Sequence, residues 1–313
     1  MTRWLVTGAG GMLGRDLVSI LGRRGEDVTG LRREELDVTD SAAVRAFIRR
    51  ARPAVVANCA AWTAVDDAEA REDEALAING RGAENVAAAC AASGSRLVHV
   101  STDYVFGGDG GAPYAEYDRT APRTAYGRTK LAGEQAVLGL LPRTGYVVRT
   151  AWLYGEHGPN FVRAMTDLEG RRPFVDVVAD QRGQPTWAAD VADQIAALAR
   201  AAPPAGIYHA TSSGEATWHE LAVEVFRLLG ADPARVRAAT SAAFPRPAPR
   251  PAYSVLGHDR HAAAGIEPIG DWRTALSRAW PVLGRARSAP AAGAGSRAVP
   301  SRGVGQASGV VGE

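Results

Sequence analysis

Lysine is almost absent from this sequence. Lys130 is the one lysine among 36 basic side chains, and all the others are arginine. The guanidinium of arginine is planar and permanently charged, whereas lysine carries a compact ammonium at the end of a slender alkyl chain. A chain with this bias keeps a lysine either by chance or where arginine will not serve, so Lys130 is the first candidate functional residue.

Cysteine and long apolar runs are scarce as well. The two cysteines, Cys59 and Cys90, lie in apolar stretches, which is typical of buried, inert thiols rather than of a redox pair or a metal site. No apolar run approaches the roughly 20 residues that a membrane-spanning helix needs, and no cationic and apolar leader precedes Leu5. We therefore expect a cytoplasmic protein that makes no membrane contact.

Net charge is low, because the formal value is only +2. Residues 285–313 hold four arginines and one glutamate, which leaves residues 1–284 with a net charge of −1. Proteins that bind nucleic acid concentrate basic side chains on one face, so we expect no nucleic-acid partner. Residues 285–313 are mostly alanine, glycine, serine and proline without periodicity, which predicts a disordered tail.

Apolar and helical segments alternate along the first 150 residues. Strands are predicted at residues 3–7, 27–31, 54–57, 96–100 and 146–150. Helices are predicted between them, including one long alanine-rich helix over residues 67–92 and a later one that carries Lys130. This alternation predicts an α/β fold with a parallel sheet that helices cover on both faces. After residue 150 the pattern becomes irregular, and Thr217 followed by Glu220 predicts a capped helix there.

A glycine-rich turn joins the first predicted strand to the first helix. Its glycines, Gly8, Gly11 and Gly14, allow a tight turn and a close approach of the backbone to a pyrophosphate. The N–H groups at the start of the helix would bind that pyrophosphate. A glycine turn without a ligand is the competing interpretation, but the position at the first strand–helix junction favours a dinucleotide.

Arginine stands after the second predicted strand, where NAD-binding proteins place an acid for the ribose 2′-hydroxyl. The residues there are Arg32 and Arg33. An arginine suits a 2′-phosphate, which favours NADPH, and NADH remains an alternative because a solvated arginine pair explains the sequence equally well.

Hydroxyl, phenol and ammonium groups follow one another in the middle of the chain. Ser101 and Thr102 end the fourth predicted strand, and Tyr126 and Lys130 stand four residues apart, on one face of the next helix. This set fits carbonyl reduction, because Tyr126 can protonate the alkoxide that hydride transfer creates. Lys130 would lower a phenol pKa that is normally about 10 by stabilising the phenolate. Thr102 or Ser101 would hold the carbonyl oxygen.

Other polar residues are expected to be structural. His99 and His209 lie in apolar strand contexts and are predicted to be core or edge side chains. Asp66, Asp67 and Glu69 form an acidic cluster that we expect at a helix N-terminus rather than at a metal.

These residues together resemble the extended short-chain dehydrogenase/reductases, and more narrowly the chain is similar to the dTDP-4-dehydrorhamnose reductases. The resemblance spans about residues 3–281. It is carried by the glycine turn at 7–14, LDVTD at 36–40, NCAAWTAVDDAE at 58–69, STDYVF at 101–106, YGRTKLAGE at 126–134, RTAWLYG at 149–155, NF at 160–161, DQRGQPT at 180–186 and RPAYS at 250–254.

The resemblance implies a Rossmann-type doubly wound parallel sheet with a smaller C-terminal substrate domain. It implies NADPH-dependent reduction of the 4-keto group of dTDP-4-dehydro-L-rhamnose to dTDP-L-rhamnose. We interpret residues 1–150 as the cofactor domain, to which about 180–205 return, and residues 151–284 as mainly substrate-binding. The catalytic acid would be Tyr126, with Lys130 and Thr102 as the other members.

The resemblance also implies ligand contacts. The cofactor would contact Gly8, Gly10, Gly11, Met12, Leu13, Gly14, Arg32, Asp37, Val38, Ala60, Ala61 and Thr63, together with Tyr126 and Lys130. The dTDP-sugar would contact Thr102, Asp103, Trp152, Asn160 and Arg250. Some members form magnesium-linked dimers, but no ligands for magnesium can be assigned in this sequence, and the question of a homodimer stays open.

Several alternatives remain. The protein could reduce another dTDP-4-keto-6-deoxy sugar in an antibiotic pathway, or it could be a nucleotide-sugar epimerase or dehydratase that regenerates its nicotinamide. A non-catalytic regulatory subunit is the weakest reading, since Thr102, Tyr126 and Lys130 are all present. Trp152 could instead be a core aromatic side chain, and Arg250 could belong to a solvated linker.

Overall fold

The computed structural model describes residues 1–283, so the tail predicted at 285–313 lies outside the described residues. The strands are β1 (Arg3–Thr7), β2 (Asp27–Leu31), β3 (Val55–Asn58), β4 (Arg96–Thr102), β5 (Gly145–Thr150), β6 (Leu153–Tyr154), β7 (Val175–Val178), β8 (Arg182–Gly183), β9 (Thr186–Trp187), β10 (Gly206–His209), β11 (Ala216–Thr217) and β12 (Val236–Ala239).

The helices are α1 (Met12–Arg23), α2 (Ser41–Ala51), α3 (Val65–Ala70), α4 (Glu72–Leu76), α5 (Ala83–Ser93), α6 (Ala125–Leu140), α7 (Phe161–Glu169), α8 (Ala188–Ala201), α9 (Trp218–Leu228), α10 (Asp259–Ala263) and α11 (Trp272–Leu283). No helix among residues 1–283 combines the length and the apolar character needed to cross a bilayer.

Six strands form the central sheet in the order β10-β5-β4-β3-β1-β2, and all neighbours are parallel. The chain winds one way from β1 to β2 and the other way from β3 onwards. The direction therefore reverses between β1 and β3, and in such sheets ligands bind outside the carboxyl ends of the strands at this point. The predicted doubly wound α/β fold is confirmed.

The sheet is apolar on both faces because helices cover both. Along β1, Trp4 and Val6 pack into the core cluster under α1 and α8, while Leu5 between them packs into the cluster under α2, α5 and α6. Side chains of a strand alternate between faces, so a doubly covered strand has to be apolar throughout. This explains why the strands appear in the sequence as short continuous apolar runs.

A second core lies in the later part of the chain. It joins α7, α9 and α11 to β7 and β12, with Phe226 and Trp272 fully buried at its centre. The predicted capping box begins α9, because the Thr217 hydroxyl accepts the Glu220 N–H at 3.0 Å and the Glu220 carboxylate accepts the Thr217 N–H at 2.7 Å. Helix α8 packs instead against the first core and leads to β10 at the edge of the sheet.

The long helix predicted over residues 67–92 is wrong. The segment is divided into α3, α4, a π-helical turn (Ala77–Gly82) and α5. Two glycines, which are poor helix formers, lie in the π turn, and a Cβ on Gly82 would come within 2.8 Å of a Val38 methyl group. Composition alone suggested a continuous helix because alanine dominates the segment.

A buried ion pair fastens α6 to the sheet. Arg149 on β5 donates two hydrogen bonds to the Glu134 carboxylate on α6, at 2.9 and 2.7 Å. The two side chains are only 1% and 2% exposed. The Arg149 guanidinium also lies over the Phe106 ring, 4.8 Å from its centre. Removal of one partner would leave an uncompensated charge in the interior.

We predict that Arg149→Met lowers the free energy of unfolding by about 3–5 kcal/mol, because Glu134 would keep a buried and unpaired charge. The control is Arg128→Met, which removes a similar two-bond contact with Glu72 at the exposed side of the same helix. That variant should lose less than about 1 kcal/mol. Urea denaturation followed by circular dichroism measures both, and equal losses would contradict the prediction.

Candidate active site

The glycine turn after β1 is tightly fitted against the loop after β3. Gly8 has a positive φ of 68°, and a Cβ there would lie 2.5 Å from the Ala60 nitrogen. A Cβ on Gly14 would lie 2.3 Å from the Gly8 oxygen. Neither position admits a side chain, so the backbone at the head of the sheet stays bare and accessible to a ligand.

Helix α1 begins at the mouth of this turn. Its N-cap is Gly11, which provides no side-chain cap. The leading N–H groups of the helix, which have no intrahelical acceptor, are therefore available for a phosphate. The position of a Cβ on Gly155 is 3.3 Å from the Met12 sulfur, so Met12 lies between this turn and the segment after β6. The glycine turn and the leading N–H groups of α1, which we call the glycine cradle, fit the diphosphate of a dinucleotide.

Arg32 lies beside the same turn. Its side-chain carbons are 3.5–3.9 Å from the point that a Cβ on Gly10 would occupy. The residue is exposed, and no carboxylate among the described residues forms an ion pair with it. Its neighbour Arg33 is instead 3.6 Å from the Asp37 carboxylate.

Asp37 and Val38, which we expect beside the adenine, lie after β2. The Asp37 carboxylate accepts the Thr39 N–H at 2.9 Å and the Thr39 hydroxyl at 2.8 Å. These bonds hold the pKa of Asp37 below its usual value. Val38 is buried against the π turn at Gly82. Val38 therefore packs against the protein, whereas Asp37 stabilises the turn after β2.

The loop after β3 presents Ala60 and Ala61 partly buried and Thr63 exposed. Asn79, from the π turn, fixes this loop by accepting the Trp62 N–H at 2.8 Å and donating to the Trp62 carbonyl at 3.1 Å. It also donates to the Thr129 hydroxyl on α6 at 3.1 Å. Sequence reasoning missed Asn79, because a buried amide in an alanine-rich segment gives no local signal.

The two cysteines differ in exposure. Cys90 is buried as predicted, whereas Cys59 is only partly buried because it directly follows β3 at the open edge of the sheet. Burial nevertheless raises the pKa of each thiol to about 12. Both thiols are therefore protonated at neutral pH.

Thr102 and Asp103 end β4 at the same edge. The Thr102 hydroxyl donates to the Asp103 carboxylate at 2.9 Å and accepts the Tyr104 N–H at 3.2 Å. Burial raises the pKa of Asp103 to about 6, and hydrogen bonds from neighbouring hydroxyl groups, that of Thr102 among them, oppose this shift. A hydroxyl and a weakly acidic carboxyl therefore stand side by side at the end of the strand.

Helix α6 brings Tyr126 to this point. The helix is capped by Thr124, whose hydroxyl accepts the Gly127 N–H at 3.0 Å. A Cβ on Gly127 would lie 2.2 Å from the Tyr104 oxygen, so the start of the helix packs directly on the chain that follows β4. Tyr126 is partly exposed, and its ring meets that of Tyr104 edge to face at 5.6 Å.

Lys130 lies one turn further along α6 and is only 2% exposed. Its ammonium donates to the Val100 carbonyl of β4 at 2.6 Å. Burial lowers the pKa of Lys130 to about 8, and the negative charge of Glu134, one more turn along, opposes this shift. Sequence reasoning missed this role of Glu134, although its spacing of four residues from Lys130 on the same helix face was visible.

The residues expected at the substrate are held by protein contacts. Trp152 has a φ of 47° and stacks on Trp218 with ring centres 3.6 Å apart. Asn160 caps α7 by accepting the Arg163 N–H at 3.1 Å. Arg250 donates two hydrogen bonds to the Asp66 carboxylate, each at 2.9 Å. The sequence offered no signal for the stacking of Trp218 or for the pairing of Asp66.

Comparisons with known proteins identify the family of this chain. Residues 2–283 match the family model described as RmlD substrate binding domain. A dTDP-4-dehydrorhamnose reductase of Streptomyces griseus is 61% identical over 91% of this chain and 95% of its own length. A dTDP-4-keto-6-deoxy-D-glucose reductase of Streptomyces niveus is 57% identical over 90% of this chain and 97% of its own length.

A solved structure adds the cofactor class. The dTDP-4-dehydrorhamnose reductase of Bacillus anthracis, in complex with NADP, is 37% identical, with a TM-score of 0.86 over 90% of this chain and 99% of its own. Its fold and ligand agree with a nicotinamide cofactor at a Rossmann-type sheet. The chain therefore belongs to the dTDP-4-dehydrorhamnose reductase family.

Proposed function

We propose that this protein reduces the 4-keto group of dTDP-4-dehydro-L-rhamnose with NADPH, yielding dTDP-L-rhamnose. One observation carries the proposal. A partly exposed phenol, Tyr126, stands one helical turn from a buried ammonium, Lys130, at the edge of the sheet where the glycine cradle opens. The relatives named as reductases of dTDP-sugars support the substrate class.

The cofactor is assigned to the residues around the reversal point of the sheet. Its diphosphate would lie on the bare turn and the start of α1, and its adenosine end beside Arg32, Asp37 and Val38. The nicotinamide end would lie between the loop that Asn79 fixes and the face of α6. The residues in this assignment are Gly8, Gly10, Gly11, Met12, Leu13, Gly14, Arg32, Asp37, Val38, Ala60, Ala61, Thr63, Tyr126 and Lys130. Bound NADPH supplies the hydride that reduces the carbonyl carbon.

The proton comes from this chain. As the carbonyl oxygen gains negative charge, the Tyr126 hydroxyl donates its proton to it. The Lys130 ammonium stabilises the phenolate that this leaves. The Thr102 hydroxyl, which points to Asp103 in this structure, would turn its donor to the substrate oxygen and hold it in place.

The dTDP-sugar is assigned to the side of the crevice formed by later residues. Asp103 and Trp152 would contact the sugar, and Asn160 and Arg250 the nucleotide part. The left-handed backbone of Trp152 supports its assignment, because strained conformations of non-glycine residues cluster at ligand sites.

A second candidate function is reduction of another dTDP-4-keto-6-deoxy sugar. The relative from Streptomyces niveus, which is named for the D-glucose-derived sugar, favours it. The proton donor and the cofactor would be the same in both reactions. The loops that contact the sugar would decide between them, because specificity follows from the site rather than from the fold.

The proposed function is tested by mixing the purified protein with NADPH and each of the two keto-sugars and following NADPH absorbance. We expect oxidation with dTDP-4-dehydro-L-rhamnose and a fall of about 10²–10⁴ in kcat for Tyr126→Phe, with little effect on the affinity for NADPH. Turnover with only the other sugar would support the second candidate. Tightly held NAD⁺ without net NADPH consumption would indicate an epimerase or dehydratase instead.

We predict that reductase activity declines as the pH rises through about 8, because Lys130, whose pKa burial lowers to about 8, then loses its proton. Glu134→Gln removes the negative charge that opposes this lowering, so the pKa of Lys130 falls further. The decline should therefore move to lower pH in a plot of log kcat/KM. Glu72→Gln, at the exposed contact with α6, should leave the pH of the decline unchanged. If the decline moved to higher pH in Glu134→Gln, Glu134 would not be the residue that opposes the lowering of the Lys130 pKa.

Cofactor preference can be tested at the arginine pair after β2. Arg32→Gln should raise KM for NADPH about 10- to 100-fold through loss of charge-assisted hydrogen bonds to the 2′-phosphate, and it should leave KM for NADH unchanged. Arg33→Gln, whose partner is Asp37, is the matched control. Equal effects of Arg32→Gln on both cofactors would remove the reason for favouring NADPH.

A further inference from the structure

A proline-rich strap, defined as residues 245–251, lies over the start of α3 beside the catalytic helix. It contains no helix or strand. Ala248 at its centre is fully buried with Val65 and Tyr104, and Tyr126 packs against the same cluster. The strap is therefore in contact with the side chains that surround the proposed proton donor.

One carboxylate anchors the strap to the first part of the chain. Asp66 accepts the Ala248 N–H at 3.2 Å and both terminal nitrogens of Arg250 at 2.9 Å. The Arg246 guanidinium is 3.6 Å from the same carboxylate. The side chains of Arg246, Arg250 and Asp66 are 24%, 12% and 26% exposed, so all three are largely shielded from water.

Two guanidinium groups, those of Arg246 and Arg250, lie within 4 Å of the one Asp66 carboxylate, at 3.6 and 2.9 Å. A guanidinium fork binds phosphate and carboxylate oxygens with the same geometry. A diphosphate carries more negative charge than Asp66 and can therefore compete with it for both arginines.

We propose that Asp66 is a specificity-determining residue that holds Arg246 and Arg250 in the free protein and releases them to the diphosphate of the nucleotide sugar. This inference rests on the proposed function. Asp66 acts as an internal competitor, so a ligand has to bring a diphosphate to gain these arginines. A ligand with less charge would leave the pair intact and bind less tightly.

The consequence is unusual for an acidic residue at a binding site. Removal of a carboxylate that only orients Arg250 would weaken diphosphate binding. Removal of a carboxylate that competes for Arg250 would strengthen it, because the ligand would no longer displace an anion. The sign of the change in affinity therefore separates the two roles.

The test is calorimetric titration of thymidine diphosphate into the full protein and into Asp66→Asn. We expect Asp66→Asn to bind thymidine diphosphate at least about 5-fold more tightly, a factor at the lower end of typical coupling between two binding events in one protein. Thymidine, which has no phosphate, should bind both proteins equally. The matched control is Asp67→Asn, which removes the neighbouring carboxylate that pairs with Arg71 instead and should bind like the wild type.

Two further variants keep the test decisive. Arg250→Gln should weaken binding of thymidine diphosphate at least about 10-fold, as expected for loss of a charge-assisted contact. Asp66→Ala repeats the measurement without a side-chain amide, and thermal melting confirms that each variant is folded. Equal or weaker binding by both folded Asp66 variants would overturn the proposal. No keto-sugar is used, so failure of the proposed reduction would leave this result interpretable.

Discussion

The contact of α6 with β4 and β5 is the constraint on which the rest of the site depends. Lys130 donates to a carbonyl of β4, and Glu134 binds Arg149 of β5. These buried charged groups stand one helical turn apart, and Tyr126 stands one turn before them at the crevice. Because a buried charge without its partner is very unfavourable, the helix has one position in which both contacts are made. That position places the phenol at the end of β4.

Burial of charge also sets the chemistry of the site. The interior that fixes Lys130 lowers its pKa, and Glu134 works in the opposite direction. Arg149 in turn neutralises Glu134, so the series of charges extends from the crevice into the core. The same lack of water raises the pKa of Asp103 to about 6. A single lysine among so many arginines is consistent with this position, because a compact ammonium reaches a backbone carbonyl in a confined space.

The site is assembled by backbone approach as much as by side chains. Gly8 lets the first turn approach the loop after β3, Gly14 lets α1 approach that turn, and Gly127 lets the start of α6 approach the chain after β4, each at a distance that excludes a Cβ. The π turn adds Asn79, which ties the loop after β3 to α6. The strap also packs beside the catalytic helix, because Ala248 is buried with Val65 and Tyr104, and Tyr126 packs against the same three residues. Closely packed backbone thus surrounds the few groups that we assign to the reaction.

The sequence by itself determined β1 to β5 of the sheet, the glycine turn, the capping box of α9 and the spacing of Tyr126 and Lys130. Each of these depends on residues close together in the chain, where periodicity and local hydrogen bonding dominate. The tertiary structure alone decided the π turn, the partial exposure of Cys59, the Trp152–Trp218 stack and the pairing of Asp66 with Arg250. These features depend on contacts between distant segments, up to 184 residues apart for Asp66 and Arg250, which no local pattern encodes.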